Sequence, residues 1–121
     1  MTIGSRLHRA APELPVRDMV TAIGWYGTTL GFRTAMTMPD GDYAVVERDG
    51  VALHLYVDAN APPVACHIFA GGIEALEAEF EDRGVQIRQR LEQEPWSNRD
   101  FRLLDPFGNE LKFTESKVEA A

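Results

Sequence analysis

The sequence predicts an α+β fold made of two tandem β-α-β-β-β modules, whose strands form a curved mixed sheet with a concave ligand cleft. Three observations carry this: an internal repeat, two helices with matching glycine stops, and eight short strand-like runs punctuated by turn residues. Asp42-Tyr43-Ala44-Val45-Val46 matches Asp100-Phe101-Arg102-Leu103-Leu104, Gly50 matches Gly108, and Leu53-His54-Leu55 matches Leu111-Lys112-Phe113, every pair 58 positions apart. In the helical parts Tyr26 matches Phe80 at 54 and Leu30-Gly31-Phe32 matches Arg83-Gly84-Val85 at 53. The extra residues of the second copy fall around Gln93-Glu94-Pro95-Trp96. Each copy is too small to bury a core alone, so residues 1–121 are read as a single domain, with module 1 at about 8–58 and module 2 at about 64–116.

The elements follow in order. A first strand-like run covers 10–16. Asp18 is a good N-cap, and Met19, Ile23, Tyr26 and Leu30 follow at helical spacing until Gly31 stops the helix. Runs at 33–38, 42–48 and 51–57 complete the first copy, the last two joined by Asp49-Gly50, a hairpin dipeptide. The second copy opens with a run at 65–70. Ile73, Leu76 and Phe80 then mark a helix ending at Gly84, with Glu74, Glu77, Glu79, Glu81 and Asp82 as its solvated side. Runs at 85–91, 100–105 and 109–114 follow, the last two joined across Pro106-Phe107-Gly108-Asn109.

Strand alternation assigns the faces. Leu53, Leu55, Leu111 and Phe113 pack under the helices, so His54, Tyr56, Lys112 and Thr114 point to the other side of the sheet. On the first strand of each copy, Leu14, Val16, Cys66 and Ile68 face inward, and Ala11, Glu13, Ala65, His67 and Phe69 face oppositely. Cys66 therefore reads as a core residue, and Trp25 and Tyr26 as helix-packing residues. A face carrying Glu, His, Tyr, Phe, Lys and Thr is either solvated or forms a site, and curling two such sheets toward each other makes a pocket. An ammonium at Lys112 on that face calls for a partner, Glu13 or an anionic part of a ligand.

Composition narrows the function. Twelve Lys and Arg against nineteen Asp and Glu give a formal charge of −7, which argues against a nucleic-acid partner because phosphate binding needs a basic face. No run approaches the length of a membrane span, and the opening residues lack a signal-peptide core, so the expectation is a cytoplasmic protein with no membrane partner. One cysteine and three histidines leave no internal disulfide and too few ligands for a Cys/His zinc site.

The β-α-β-β-β duplication resembles the vicinal oxygen chelate superfamily, which includes glyoxalase I, extradiol dioxygenases and the bleomycin resistance proteins. So do Leu14-Pro15-Val16-Arg17-Asp18 leading into Trp25-Tyr26 and Leu30-Gly31-Phe32, and Asp105-Pro106-Phe107-Gly108-Asn109-Glu110-Leu111. The resemblance spans about Ala10 to Glu115. It implies four pseudo-symmetric ligand positions in metal-dependent members, which counting from Asp18 and Ile73 puts at Ala11, His54, Ala65 and Lys112; three of these cannot coordinate a divalent ion. Glu94-Pro95-Trp96 with Arg99-Asp100-Phe101 looks like the bleomycin resistance branch, whose members bind drug without destroying it, as homodimers with shared crevices.

The resemblance thus implies a metal-free binding protein with no cofactor, rather than an enzyme. It would sequester a cationic or planar antibiotic-like small molecule through Trp96, Tyr56, Phe69, Tyr43, His54, His67, Glu13, Asp40 and Lys112, with Asp42 adding charge. Aromatic faces supply stacking and carboxylates supply charge. The alternative is a metal-dependent glyoxalase- or dioxygenase-type enzyme with a displaced site of Glu13, His54 and His67, two histidines and a carboxylate being a non-haem iron set.

Overall fold

A computed structural model describes residues 4–92 and 99–116. The element order is β1 (Glu13–Val16), α1 (Met19–Thr28), β2 (Arg33–Thr37), β3 (Tyr43–Arg48), β4 (Val51–Val57), β5 (Ala65–Ala70), α2 (Ile73–Asp82), β6 (Ile87–Glu92), β7 (Asp100–Leu104) and β8 (Glu110–Glu115). The strands form two four-stranded mixed sheets, β1-β4-β3-β2 and β5-β8-β7-β6, rather than one continuous sheet. In each, the first strand lies parallel to the last and the remaining pairs are antiparallel.

Local chemistry accounts for the boundaries. Asp18, in extended conformation, accepts from the Thr21 amide at the start of α1, the satisfaction of a free N–H that an N-cap supplies. Asp49 and Gly50 both have positive φ, 52° and 83°, as a two-residue type I′ hairpin requires. At the end of α1, Gly31 has φ 77°, and a side chain there would meet the guanidinium groups of Arg48 and Arg83, each 3.1 Å from the Cβ position.

The core lies between sheets and helices, with Leu14, Val16, Tyr26, Leu53 and Leu55 fully buried in the first half and Phe80, Phe101, Leu103 and Leu111 in the second. Cys66 belongs to it, and burial pushes its thiol pKa up. Trp25 is partly buried and meets Tyr26 edge-on, ring centroids 5.0 Å apart.

The halves grip each other through their hairpins. The buried Asp105 accepts from the Tyr26 hydroxyl at 2.8 Å and from the Asn109 side-chain amide at 2.8 Å, while the same Asn109 amide donates to the Pro15 carbonyl at 2.8 Å. In the reciprocal contact Arg48, at the end of β3, forms a bidentate pair with Glu79 of α2 at 2.8 and 3.0 Å. Glu79 also pairs with Arg83 at 3.0 Å. The acidic side of α2 is therefore not simply solvated: Glu77 accepts from the Leu91 amide at 2.7 Å, Glu74 pairs with Arg99 and Glu81 pairs with Arg90.

Candidate functional site

On the first sheet the polar face holds a hydrogen-bonded chain of three residues from three strands. The Tyr43 hydroxyl lies 2.7 Å from Glu13 Oε2 and 2.7 Å from His54 Nδ1. β1 and β4 run in parallel register with Glu13 opposite His54, and Tyr43, two residues before Val45, reaches back to both. The bond to Glu13, with burial behind it, raises the Tyr43 pKa and keeps the phenol protonated. A phenol has one proton, so when it is given to the carboxylate the His54 Nδ1–H must be the donor in the second bond. His54 Nε2 is left buried with no hydrogen-bond partner. Tyr56 stands opposite Tyr43 in the β3–β4 register and is half-buried.

The polar face of the second sheet is different. His67 Nε2 lies 2.6 Å from the Thr114 hydroxyl, and the His67 and Phe69 rings lie 4.4 Å apart, tilted by 32°. Phe69 is 61% exposed. Lys112 is half-buried between His67 on β5 and Arg102 on β7, its two register partners. Burial first, and then the Lys112 charge, push the His67 pKa below its ordinary value. Arg102 donates to Glu110 at 3.3 Å and lies 3.9 Å from Asp100, which also accepts from Gln89 at 2.8 Å.

Of the residues expected in the site, Glu13, Tyr43 and His54 meet directly, and His67, Phe69 and Lys112 share the second sheet's open face. Asp40 instead sits in the β2–β3 turn, exposed, accepting from the Asp42 amide at 3.0 Å. Trp96, with Glu94 and Pro95, lies outside the described residues. The expected pairing of Lys112 with Glu13 is not formed, since Glu13 bonds Tyr43 and no hydrogen bond or ion pair of Lys112 occurs among the described residues. Sequence reading missed Arg102, Asp100 and Gln89. Alternation along 100–105, followed as it was along 109–114, would have put Asp100 and Arg102 beside Lys112 and Thr114.

The register also corrects the expected ligand positions. Ala11 lies ahead of β1 and Ala65 faces Glu110, whereas the residues opposite His54 and Lys112 are Glu13 and His67. Glu13 and His54 Nδ1 are both engaged by Tyr43, the position opposite His67 carries an ammonium, and no three His, Cys, Asp or Glu side chains converge among the described residues. This donor set does not fit a divalent metal held within one chain, and Glu13, His54 and His67 do not form the displaced cluster of the alternative reading.

Two cavities lie beneath the hairpin contacts instead. One of about 410 Å³ is lined by Phe32, Arg48, Val51, Leu76, Glu79 and Phe113 among others, and one of about 550 Å³ by Trp25, Val85, Ile87, Leu104 and Pro106 among others. Neither takes in Glu13, His54 or Lys112; on the polar faces Glu13, His67 and Phe69 are exposed, whereas Asp100, Thr114 and His54 Nε2 are buried.

Residues 6–113 match the family model of the Glyoxalase/Bleomycin resistance protein/Dioxygenase superfamily. The chain belongs to this superfamily. Within it, the chain is 29% identical over 126 aligned positions to the bleomycin resistance protein of Geobacillus stearothermophilus, covering 87% of this chain and 94% of that protein, and equally to that of Staphylococcus aureus. Among solved structures of the same fold, a bleomycin-binding protein complexed with bleomycin superposes with a TM-score of 0.81 at 20% identity, over 92% of this chain and 100% of the other. The bleomycin resistance determinant encoded on the transposon Tn5 gives 0.83 at 19% identity over 93% and 100%. TioX from Micromonospora sp. ML1 gives 0.79 at 19% identity over 93% and 98%.

Proposed function

We propose that this superfamily member is a binding protein of the bleomycin resistance type, sequestering a cationic or planar antibiotic-like molecule without chemical change and without a metal of its own. The observation that carries the reading is the Glu13–Tyr43–His54 chain: a carboxylate and an aromatic ring fixed together on an open face, in a sequence 29% identical to bleomycin resistance proteins. An organic cation is attracted by the carboxylate, and a planar group stacks on exposed rings such as Phe69. Trp96, which follows Pro95 in the sequence, would add a second stacking surface.

The same reading has the cleft completed by a second copy. Its support is the exposure of Glu13, His67 and Phe69 on the polar faces, together with an edge strand, β2, whose five residues are all exposed, and Met36 and Met38, 42% and 46% exposed, at that edge. An unprotected edge with apolar side chains is what a partner strand or face covers.

Calorimetric titration of the purified protein with bleomycin-type glycopeptides, quinone antibiotics and peptide antibiotics tests the proposal. Saturable binding, with the drug recovered intact and no divalent metal found by elemental analysis, is the expected result. A stoichiometric metal whose removal abolishes activity, or conversion of the bound compound, overturns it in favour of an enzyme.

A further inference from the structure

We infer that the open face of the second sheet is an anion subsite, centred on Lys112, for the carboxylate of a planar organic acid. The inference deepens the proposed function, resting on its view that the polar faces bind ligand, and it adds that the ligand carries a negative group as well as any cationic one.

The argument starts from charge. Lys112 stands directly between His67 and Arg102 in the register of β5, β8 and β7. Side chains at directly opposed strand positions lie roughly 5 Å apart, and like charges there destabilise a sheet. The chain as a whole has an excess of seven acidic residues, so carboxylates are abundant, and this face uses them for other cations. Arg102 is matched by Asp100 and Glu110, and Arg88 by Glu110 at 3.1 Å. Lys112 alone in this group has neither hydrogen bond nor ion pair among the described residues, although it is half-buried. A cation with no counter-charge among the described residues, directly opposite another cation, is unfavourable, and a neutral side chain would satisfy the same strand position.

The surplus is one positive charge, which suits a monoanion better than a dianion such as a phosphate ester. Shape selects further. Phe69 lies on the same face as His67, one two-residue repeat along β5, its Cα about 7 Å away, and its exposed ring is tilted by 32° against the imidazole, centroids 4.4 Å apart. A flat acid placing its ring on Phe69 brings its carboxylate toward Lys112. His67, held by Thr114, walls the space between.

The test uses 2-naphthoate as probe, with 2-naphthamide as its neutral counterpart and inorganic phosphate as the dianionic competitor, titrated into the intact protein and into Lys112→Gln and Lys112→Arg. The parent is expected to bind naphthoate saturably and at least about tenfold more tightly than naphthamide, and Lys112→Gln to lose about the same factor, as expected for a charge-assisted hydrogen bond. Lys112→Arg, which keeps the charge, should retain most of the affinity. Equal affinity for naphthoate and naphthamide in the parent overturns the inference without needing any variant, as does unchanged naphthoate affinity in folded Lys112→Gln. Phosphate that displaces naphthoate with a lower dissociation constant than naphthoate's own overturns the carboxylate assignment. A bleomycin titration of the same preparation separates the two levels: drug binding without naphthoate discrimination sinks the subsite alone, and Lys112-dependent naphthoate binding without drug binding sinks the proposed antibiotic.

Discussion

The Tyr26 hydroxyl donates a 2.8 Å hydrogen bond to Asp105, 79 residues away, and both groups are buried. Burial, followed by the Asp105 charge, raises the tyrosine pKa, so the phenol remains a donor across the physiological range. Asp105 also accepts from the amides of Phe107 and Asn109, each at 2.9 Å. One carboxylate thus shapes its own turn and ties it to the helix of the other half.

Tyr26→Phe should therefore destabilise the protein by about 1–2 kcal/mol, the cost of leaving one lobe of a buried acceptor short of a donor. Asn109 still donates to the same oxygen, which keeps the loss below that of an orphaned charge. Urea denaturation of parent and variant checks it; an unchanged midpoint would show that the bond contributes nothing.

Stability should fall with acid through Glu79. Its pKa is held below the ordinary carboxylate value, mainly by the hydrogen-bonded Arg48 guanidinium, with Arg83 adding to it. Because the folded pKa lies below the unfolded one, the contribution is complete above the unfolded value and is lost as pH falls through the folded value. Glu79→Gln should flatten the pH dependence of the melting temperature between about pH 5 and 3 relative to the parent. Parallel curves would mean that the pair is screened by solvent.

Trp96→Ala should weaken ligand binding at least about fivefold, the value of one stacking contact, with little change in melting temperature. The motive is its place after Pro95, outside both helical repeats. A large fall in melting temperature with unchanged affinity would make it a structural residue.

The protein should sediment as a homodimer at micromolar concentration. Substituting Met36 and Met38 on the exposed β2 edge by glutamate should shift it toward monomer and lower drug affinity together, since the cleft is proposed to need both copies. A monomeric parent that binds drug at full affinity would refute the shared cleft.

The sequence by itself determined the element order, because its determinants are local. Alternation separates Leu53 and Leu55 from His54 and Tyr56, Asp18 caps the first helix, and Asp49-Gly50 adopts the two positive φ angles of its hairpin. The 58-residue repeat added the duplication. Tertiary structure decided what these residues meet. Counting along the chain from the helices placed Ala11 and Ala65 beside His54 and Lys112, whereas parallel register, which depends on hydrogen bonds between distant strands, placed Glu13 and His67 there. Likewise the acidic side of α2 reads as solvent-facing in one dimension, and only packing brings Arg48 onto Glu79. The isolation of Lys112 is of the same kind: its charge is visible in the sequence, but the commitment of nearby carboxylates to Arg88 and Arg102 is a property of the folded sheet.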